Sequence, residues 1–476
     1  MKRAIIKGLS FILVFIAAIF IISRIMNQGN TDMTVEMKEP TYPLIYMKLE
    51  SEEVNCLYGY CNTMETSYLR DTITVVPTTR NLSFVVEKYG ASIKGISIEV
   101  RSVDGSRLIE NTQITKSSET DDTLAASITL KDLIEVNIEY SLCIVVTTSQ
   151  ETQIRYYTRI ILSDDNFVNE KVAFVKDFHE STFDKLEGEK LSIYLESNAE
   201  GDNSTYHKVN IHSSLDQITW GSLDVEEYSK PVISIKEIST QTAVLEIDYL
   251  VSIKESTRTN YYRVNEYYRI RYGNERIYLL DFERTMNKLF DPEADVYANN
   301  KIVMGIADEN MELKECEGGN VLAYVYDNQL YTYNIADNEI AKVFAFYNTD
   351  NLDPRNLNDA CDIKILSIDE TGNVRFMVYG YMNRGRHEGD VGVQIYYYNS
   401  LVNTVEEEVY ISYSKGSSLL TSEIERLSYV SKNNILYVML DGTIYSVNLV
   451  EKSFEVIVTN LLEESYKISN TNEMIA

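Results

Sequence analysis

Two fifteen-residue stretches in the last third of the chain, NVLAYVYDNQLYTYN (320–334) and NILYVMLDGTIYSVN (434–448), run in register. Each opens and closes on Asn, alternates apolar residues around an Asp-led pair, and places Leu or Ile before Tyr. Alternation with period two, broken by Asp-Asn or Asp-Gly, predicts a β-hairpin with a tight turn. A third copy is split. NVRFMVYG (373–380) and VQIYYYN (393–399) supply the same two strands, with Tyr396 and Asn399 in the places of Tyr331 and Asn334. The bounding asparagines lie 14 apart in the outer copies and 26 apart in the middle one, so the middle turn carries 12 extra residues.

Each copy is preceded by a strand (MELKECEGG, IKILSIDETG, IERLSYVSKN) and followed by another (IAKVFAFY, TVEEEVYI, FEVIVTN). Four short strands recurring every roughly 40–60 residues predict β-propeller-like blades over residues 291–476. SYKISNTNEMIA at the C-terminus reads as the start of a fourth copy. Three blades and a part leave open sheet edges, which aggregate. The expectation is therefore a piece of a longer protein, with closure by an earlier segment such as NNKIVMGIAD (299–308) as the other solution.

The 12 extra residues fall in GYMNRGRHEGDVG (380–392). Long loops on rigid sheets often carry binding function. Its charges, Arg384, Arg386, Glu388 and Asp390, balance, which rules out a phosphate or nucleic-acid patch, and His387 is one of only four histidines. Two arginines suit bidentate capture of a carboxylate. They equally suit pairing with the local acids and docking onto a neighbouring sheet. Arg384, Arg386, His387, Glu388 and Asp390 form the candidate binding set.

Upstream, residues 41–163 alternate short apolar runs with turn signals such as Asp104-Gly105. An immunoglobulin- or fibronectin-like β-sandwich fits them. Residues 164–290 place a helix-like spacing of Phe183, Leu186, Leu191 and Leu195 before a series of long strands, the pattern of an α+β domain. The fold class is thus mainly β and multidomain, in keeping with 36 tyrosines and only 6 prolines.

Residues 1–26 read MKRAIIKGLSFILVFIAAIFIISRIM. Between Lys7 and Arg24 there is no charge, and that run spans roughly 24 Å as a helix, extended by Ile5, Ile6 and Ile25 towards a bilayer core of about 30 Å. Residues 4–26 are read as a membrane anchor. Lys2, Arg3 and Lys7 keep the N-terminus cytosolic and place the bulk of the chain outside. Ser23-Arg24-Ile25 is a poor cleavage site, so an uncleaved anchor is favoured over a signal peptide. Residues 27–40 form a polar tether.

Acids number 72 against 44 lysines and arginines, a net charge of −28 that opposes nucleic acid and anionic lipid headgroups. The five cysteines form no CxxC pair, and Cys56 with Cys61 could close a small extracellular disulfide. His179, Glu180 and Asp177, with His207 and His212, could contribute to a metal site, but HExxH is absent and ordinary surface and helix-start roles suit them better. Asp350, Asp353, Asp359 and Asp362 could hold calcium, without EF-hand spacing. Ser412 and Lys415 fit SxxK formally but end a strand. No nucleophile elbow, phosphate loop or dinucleotide fingerprint occurs, so no catalytic residue and no cofactor is assigned.

MKEPTYPLIYM, YLRDTITVVPTTR and VYGYMNRGRHEGDVG together resemble an uncharacterised family of membrane-anchored extracytoplasmic proteins of anaerobic Gram-positive bacteria. The resemblance implies location, and no activity. The reading is a single-pass envelope protein whose propeller-like module contacts a protein or envelope glycan. The alternative is an envelope hydrolase with carboxylates converging at the blade centre.

Overall fold

A computed structural model describes residues 37–50, 52–255, 258–289, 297–298, 301–302, 311–346, 353–358 and 360–462. The anchor expected at 4–26, most of the tether, most of the closing segment at 299–308 and the fourth copy at 465–476 lie outside the described residues. Among the described residues no helix is long and apolar enough to cross a membrane. The protein is mainly β and is built from several sheets.

Residues 41–289 make two sheets. An eleven-stranded sheet takes Leu44–Leu49, Glu52–Leu57, Asn81–Glu87, Ser117–Glu119 and Thr123–Thr129 from before residue 163, and six strands between Lys208 and Lys288 from after it. A five-stranded sheet is ordered Ile73–Val76, Gln153–Leu162, Glu139–Thr148, Ile93–Ser102, Leu108–Gln113. The two share one core in which Phe84 and Val86 of the large sheet meet Ile98, Ile144 and Tyr156 of the small one. The boundary drawn at residue 163 therefore falls inside a shared sheet and a shared core. Local alternation shows where strands are, not which strands pair.

The joint between the two halves of the large sheet is Asn55. It is the extra residue of a bulge between Tyr46 and Met47, and it takes a left-handed backbone, φ 52°. Its side chain is turned inward and fully buried. Asn55 Nδ2 donates to Ile73 O at 2.9 Å and Thr74 Oγ1 at 3.0 Å, and its Oδ1 accepts from Ile235 N at 2.7 Å. One side chain thus ties three strands that are distant in sequence.

The helix lies earlier than its expected position. It is Val168–Phe183, with Val168, Val172, Val175 and Phe178 buried along one stripe. Asp184 stops it by turning extended and accepting the N–H groups of Leu186 and Glu187, which starts a new short turn at Lys185–Gly188. Leu186, one of the residues whose spacing reads as helical, is 77% exposed.

The repeats form three four-stranded antiparallel sheets in series: Leu313–Ala345, Cys361–Ser412 and Ser428–Val458. Their correspondence extends to backbone irregularities. The third strand shifts register against the fourth just before Tyr331, Tyr396 and Tyr445 in turn. Asp327-Asn328 (φ 49°, 55°) and Asp441-Gly442 (φ 49°, 66°) each put two consecutive residues at positive φ, as a type I′ hairpin turn requires. The repeated closing asparagines are turn formers. Asn334 Oδ1 accepts from Ala336 N and Asp337 N, Asn399 Oδ1 from Leu401 N, and Asn448 Oδ1 from Val450 N and Glu451 N. In the middle sheet the insertion also lengthens the strands, to Val374–Tyr381 and Val391–Asn399, and leaves residues 382–390 as the connection.

Adjacent sheets share cores. Phe344 of the first packs against Phe376 and Tyr396 of the second, at 5.5 and 5.1 Å between ring centres. The second and third sheets meet around Leu420 and Ile424 of helix Ser417–Arg426. Among the described residues the three sheets do not close into a ring.

Replacing Asn55 with Ala strands the Ile235 N–H and the Ile73 carbonyl and leaves Ala in a left-handed conformation. We expect a loss of about 3 kcal/mol, read as a lowered urea midpoint at unchanged slope.

Candidate binding site

The 382–390 connection folds back onto residues 37–62. The Glu388 carboxylate accepts from Thr41 N (2.6 Å), Thr41 Oγ1 (2.7 Å) and Tyr42 N (2.8 Å). Arg384 is buried, donates to Asn356 Oδ1 and sits 3.8 Å from Glu39. Asp390 accepts from Asn62 Nδ2 at 3.0 Å and Ser412 Oγ at 3.3 Å. Gly389, at φ 78°, gives its carbonyl to Cys61 N at 2.8 Å. A Cβ there would lie 2.4 Å from Tyr42 Cε2, so the close approach needs glycine. Tyr381 donates to Gly59 O at 2.7 Å and meets the ring of Tyr60 edge-on.

The loop is therefore a clasp between the middle repeat sheet and the N-terminal sheets. Of the candidate set, Arg384, Glu388 and Asp390 serve that contact. His387 stacks on Tyr410 at 3.7 Å and its Nε2 lies 2.7 Å from Glu407 Oε1. Arg386 is the exposed member, 3.7 Å from Glu407. The two arginines address different acids, so they form no shared grip on a carboxylate.

Of the two states open to Cys56 and Cys61, a small disulfide or free thiols, the structure has both as free thiols. Burial pushes the Cys56 thiol up to about 12, while hydrogen bonds to Tyr46 and Tyr58 oppose that rise. Cys61 faces the clasp, where burial and then Asp390 raise it to about 11. The two side chains are held by different neighbours.

His179, read from the sequence as a surface or helix-start residue, is buried within the helix and central to a charged network. Its Nδ1 lies 2.8 Å from Glu266 Oε2 and its Nε2 2.9 Å from Glu227 Oε1. Tyr249 and Tyr268 donate to Glu266, which is fully buried. Arg284, also fully buried, lies 3.9 Å from Glu266, stacks on Trp220 at 3.5 Å and donates to Ile218 O and Gln217 O. Burial alone pulls the His179 imidazole down, but Glu266 and Glu227 outweigh it and raise it to about 9. Burial pushes Glu266 up, and His179 and Arg284 more than reverse this, leaving it below the usual carboxylate range. The network is a structural ion cluster beneath the helix.

The other candidates disperse. His207 Nδ1 lies 3.1 Å from Met286 O, and His212 Nδ1 lies 3.0 Å from Asn198 Nδ2. Among the described residues no group of three or more His, Cys, Asp or Glu is placed to hold a metal ion. Of the calcium candidates, Asp350 and Asp359 lie outside the described residues. Asp353 pairs with Arg355, and Asp362 accepts from Thr421 Oγ1. Ser412 donates to Asp390, while Lys415 pairs with Asp441. For the hydrolase alternative, the repeat carboxylates are held separately: Glu312 by Ile365 N, Glu408 by Arg375 and Glu370 by Gly318 N.

What the sequence did not single out is the last strand, Ser453–Val458. Phe454, Val456, Ile457 and Val458 are all exposed, from 37% to 50%. The matching strands of the first two sheets bury Val343 and Phe344, and Val409 and Ile411. The signal was present in FEVIVTN, an apolar run with one acid.

No known protein family and no curated protein matches the chain. Among solved structures, Porphyromonas gingivalis dipeptidyl peptidase 4 is similar over 47% of this chain and 39% of its own, at 9% identity and a TM-score of 0.17. Spo0M, a sporulation control protein of Bacillus subtilis, is similar over 43% of this chain and 82% of its own, at 8% identity and a TM-score of 0.14. The chain thus spans well under half of the peptidase, and at these scores neither likeness bears on function.

Glu388→Ala removes three hydrogen bonds to a carboxylate and should cost about 2 kcal/mol, opening residues 382–390 to limited proteolysis. Arg386→Ala should change stability by less than about 0.5 kcal/mol. For the ion cluster, His179 is raised on folding, so its contribution is complete below its ordinary value and is lost as pH rises through about 9. Glu266 is lowered, so its contribution is lost as pH falls. A urea-midpoint profile against pH should decline on both sides, and His179→Leu should remove the alkaline decline.

Proposed function

We propose that the chain is a single-pass, membrane-anchored scaffold of the cell envelope, its bulk outside the cytosol, whose propeller-like repeats dock a protein partner. An immunoglobulin- or fibronectin-like sandwich stands between the anchor and the repeats. The location rests on the apolar run after Lys2 and Arg3 and on the family resemblance. The single observation that carries the docking role is the uncovered strand Ser453–Val458.

The partner's chemistry follows from continuity. In this series each sheet face is buried by the next sheet, as Phe344 is by Phe376 and Tyr396. The last sheet repeats the same bulge, and among the described residues Ser453–Val458 is its edge strand, with Phe454 and Val456 on one face and Val458 on the other. Such an edge accepts a further strand, with main-chain hydrogen bonds giving affinity and alternate side chains giving selectivity. The expected occupant is a protein that offers a β-sheet edge of its own. A second copy is disfavoured by a net charge of −28 on each chain.

A photo-crosslinker at position 457 of the full-length chain in its native membrane should trap one discrete protein. Adding that purified partner should slow amide exchange at 453–458, and Val456→Lys should abolish both effects. Self-crosslinking alone, or unchanged capture by Val456→Lys, would overturn the reading.

A further inference from the structure

A different surface goes beyond that docking edge and does not depend on it. It is the rim made by the turns that join the third and fourth strands of the repeat sheets. The closing Asn of each repeat builds its turn, and each turn lifts an aliphatic side chain into solvent. Ile335, Leu401, Val402 and Val450 are from 49% to 91% exposed. One exposed leucine needs no explanation. An exposed aliphatic in the same turn of all three sheets does. The turns share one side of the molecule. Asp337 of the first and Leu401 of the second line one cleft, and Lys452 beside the third reaches Glu406 of the second sheet at 3.0 Å. This side lies at the other end of strand Val391–Asn399 from the clasp, roughly 26 Å away.

The cleft between the first two turns holds about 520 Å³. Asp337 and Glu339 are the charged residues that line it, with no base among them. The Glu339 carboxylate makes no hydrogen bond or ion pair among the described residues, and the side chain is exposed. A second feature is independent of this charge. Thr332 shares a sheet face with Val321, Asn334 and Glu339, all of which line the cleft. It is 7% exposed, and its hydroxyl has no partner among the described residues, yet it is not one of the sealed polar atoms. A recessed acceptor beside two carboxylates suits a cationic donor on an aliphatic stem, which Ile335 and Leu401 can flank. Anionic lipid and a second acidic copy of this chain are both repelled.

Spacing decides the form of the ligand. Face-packed sheets stand about 10 Å apart, and so do their turns. Two turns of α-helix rise about 10.5 Å and return a side chain to nearly the same face. An extended strand covers about 10 Å in three residues, which puts the side chain on the opposite face. We propose that this rim docks a basic amphipathic helix of a partner protein. Its apolar residues, seven apart, meet Ile335 and Leu401, with Val450 continuing the row. A lysine or arginine between them enters the cleft and donates to Asp337, Glu339 and Thr332 Oγ1.

The probe is a fluorescent synthetic helix of about 16 residues, with leucine at every seventh position and lysine or arginine between. It is titrated by anisotropy onto the full-length chain in phosphatidylcholine nanodiscs. It should bind saturably and weaken as salt is added. A peptide of the same composition with the spacing scrambled, and one with acids in place of the bases, should not bind. Leu401→Glu and Glu339→Lys alter exposed side chains, so each should weaken binding at least about tenfold with the urea midpoint unchanged. Val456→Lys should keep the parental affinity, so the rim and the docking edge stand or fall separately. No binding of the spaced helix, equal binding of the scrambled one, or parental affinity in Leu401→Glu would overturn the assignment. Quenching of Leu401→Trp fluorescence by brominated nanodisc lipid would overturn it in favour of a lipid surface.

Discussion

The relation between the repeat sheets and the rest of the molecule depends on one carboxylate. Glu388 holds Thr41 and Tyr42, more than 300 positions away in sequence, through three hydrogen bonds, two from backbone N–H groups and one from the Thr41 hydroxyl. Hydrogen bonds to a charged acceptor are about twice as strong as neutral ones, and two of these are directed at main chain, which has little freedom to rearrange. Gly389 allows the backbones to touch, and the Tyr58, Tyr60, Tyr157 and Tyr381 rings fill the space beside the contact edge to face. The clasp is one part of a wider seam, in which Met64 and Leu69 pack into the core of the repeat sheets and Glu65 N–H donates to Ser414 O at 3.0 Å.

The parts of this fold legible in the sequence are those set by neighbouring residues. A hairpin turn is decided by two residues, so Asp327-Asn328 and Asp441-Gly442 announce themselves, and an Asn that accepts N–H groups two and three residues on recurs wherever that turn recurs. What was not legible is set by pairing at a distance. Nothing in VNC around Asn55 shows that its amide will reach Ile73 and Ile235. The helix was misplaced because Phe183, Leu186, Leu191 and Leu195 keep helical spacing across Asp184, whose carboxylate ends one helix and begins the next turn. The stripe of Val168, Val172, Val175 and Phe178 was the better one, hidden by the buried Lys171 within it.

The candidate site shows the same division. The composition of 380–392 marked it as unusual, and it is. Composition cannot say whether a charge will meet a ligand or the protein itself, because that depends on which surface folds opposite. His179 is the sharper case. A histidine beside Glu180 on a polar stretch reads as exposed. Two acids that arrive from strands, Glu227 and Glu266, compensate its burial and make an interior position tolerable. Neither is near it in sequence.

The three sheets differ in one respect that their shared pattern hides. The register shift before Tyr331, Tyr396 and Tyr445 bends each fourth strand in the same way, so each offers its neighbour the same surface. In the first two sheets Phe344 and Val409, opposite Leu330 and Ile395, are buried. In the third, Val458 takes that place opposite Ile444 and is exposed among the described residues. Solvated edge strands are normally kept short or carry charges that discourage pairing. Ser453–Val458 has one acid, Glu455, which shares its face with Val458 and lies opposite Phe454 and Val456. Only Val458 keeps a position that is apolar and buried in both earlier sheets.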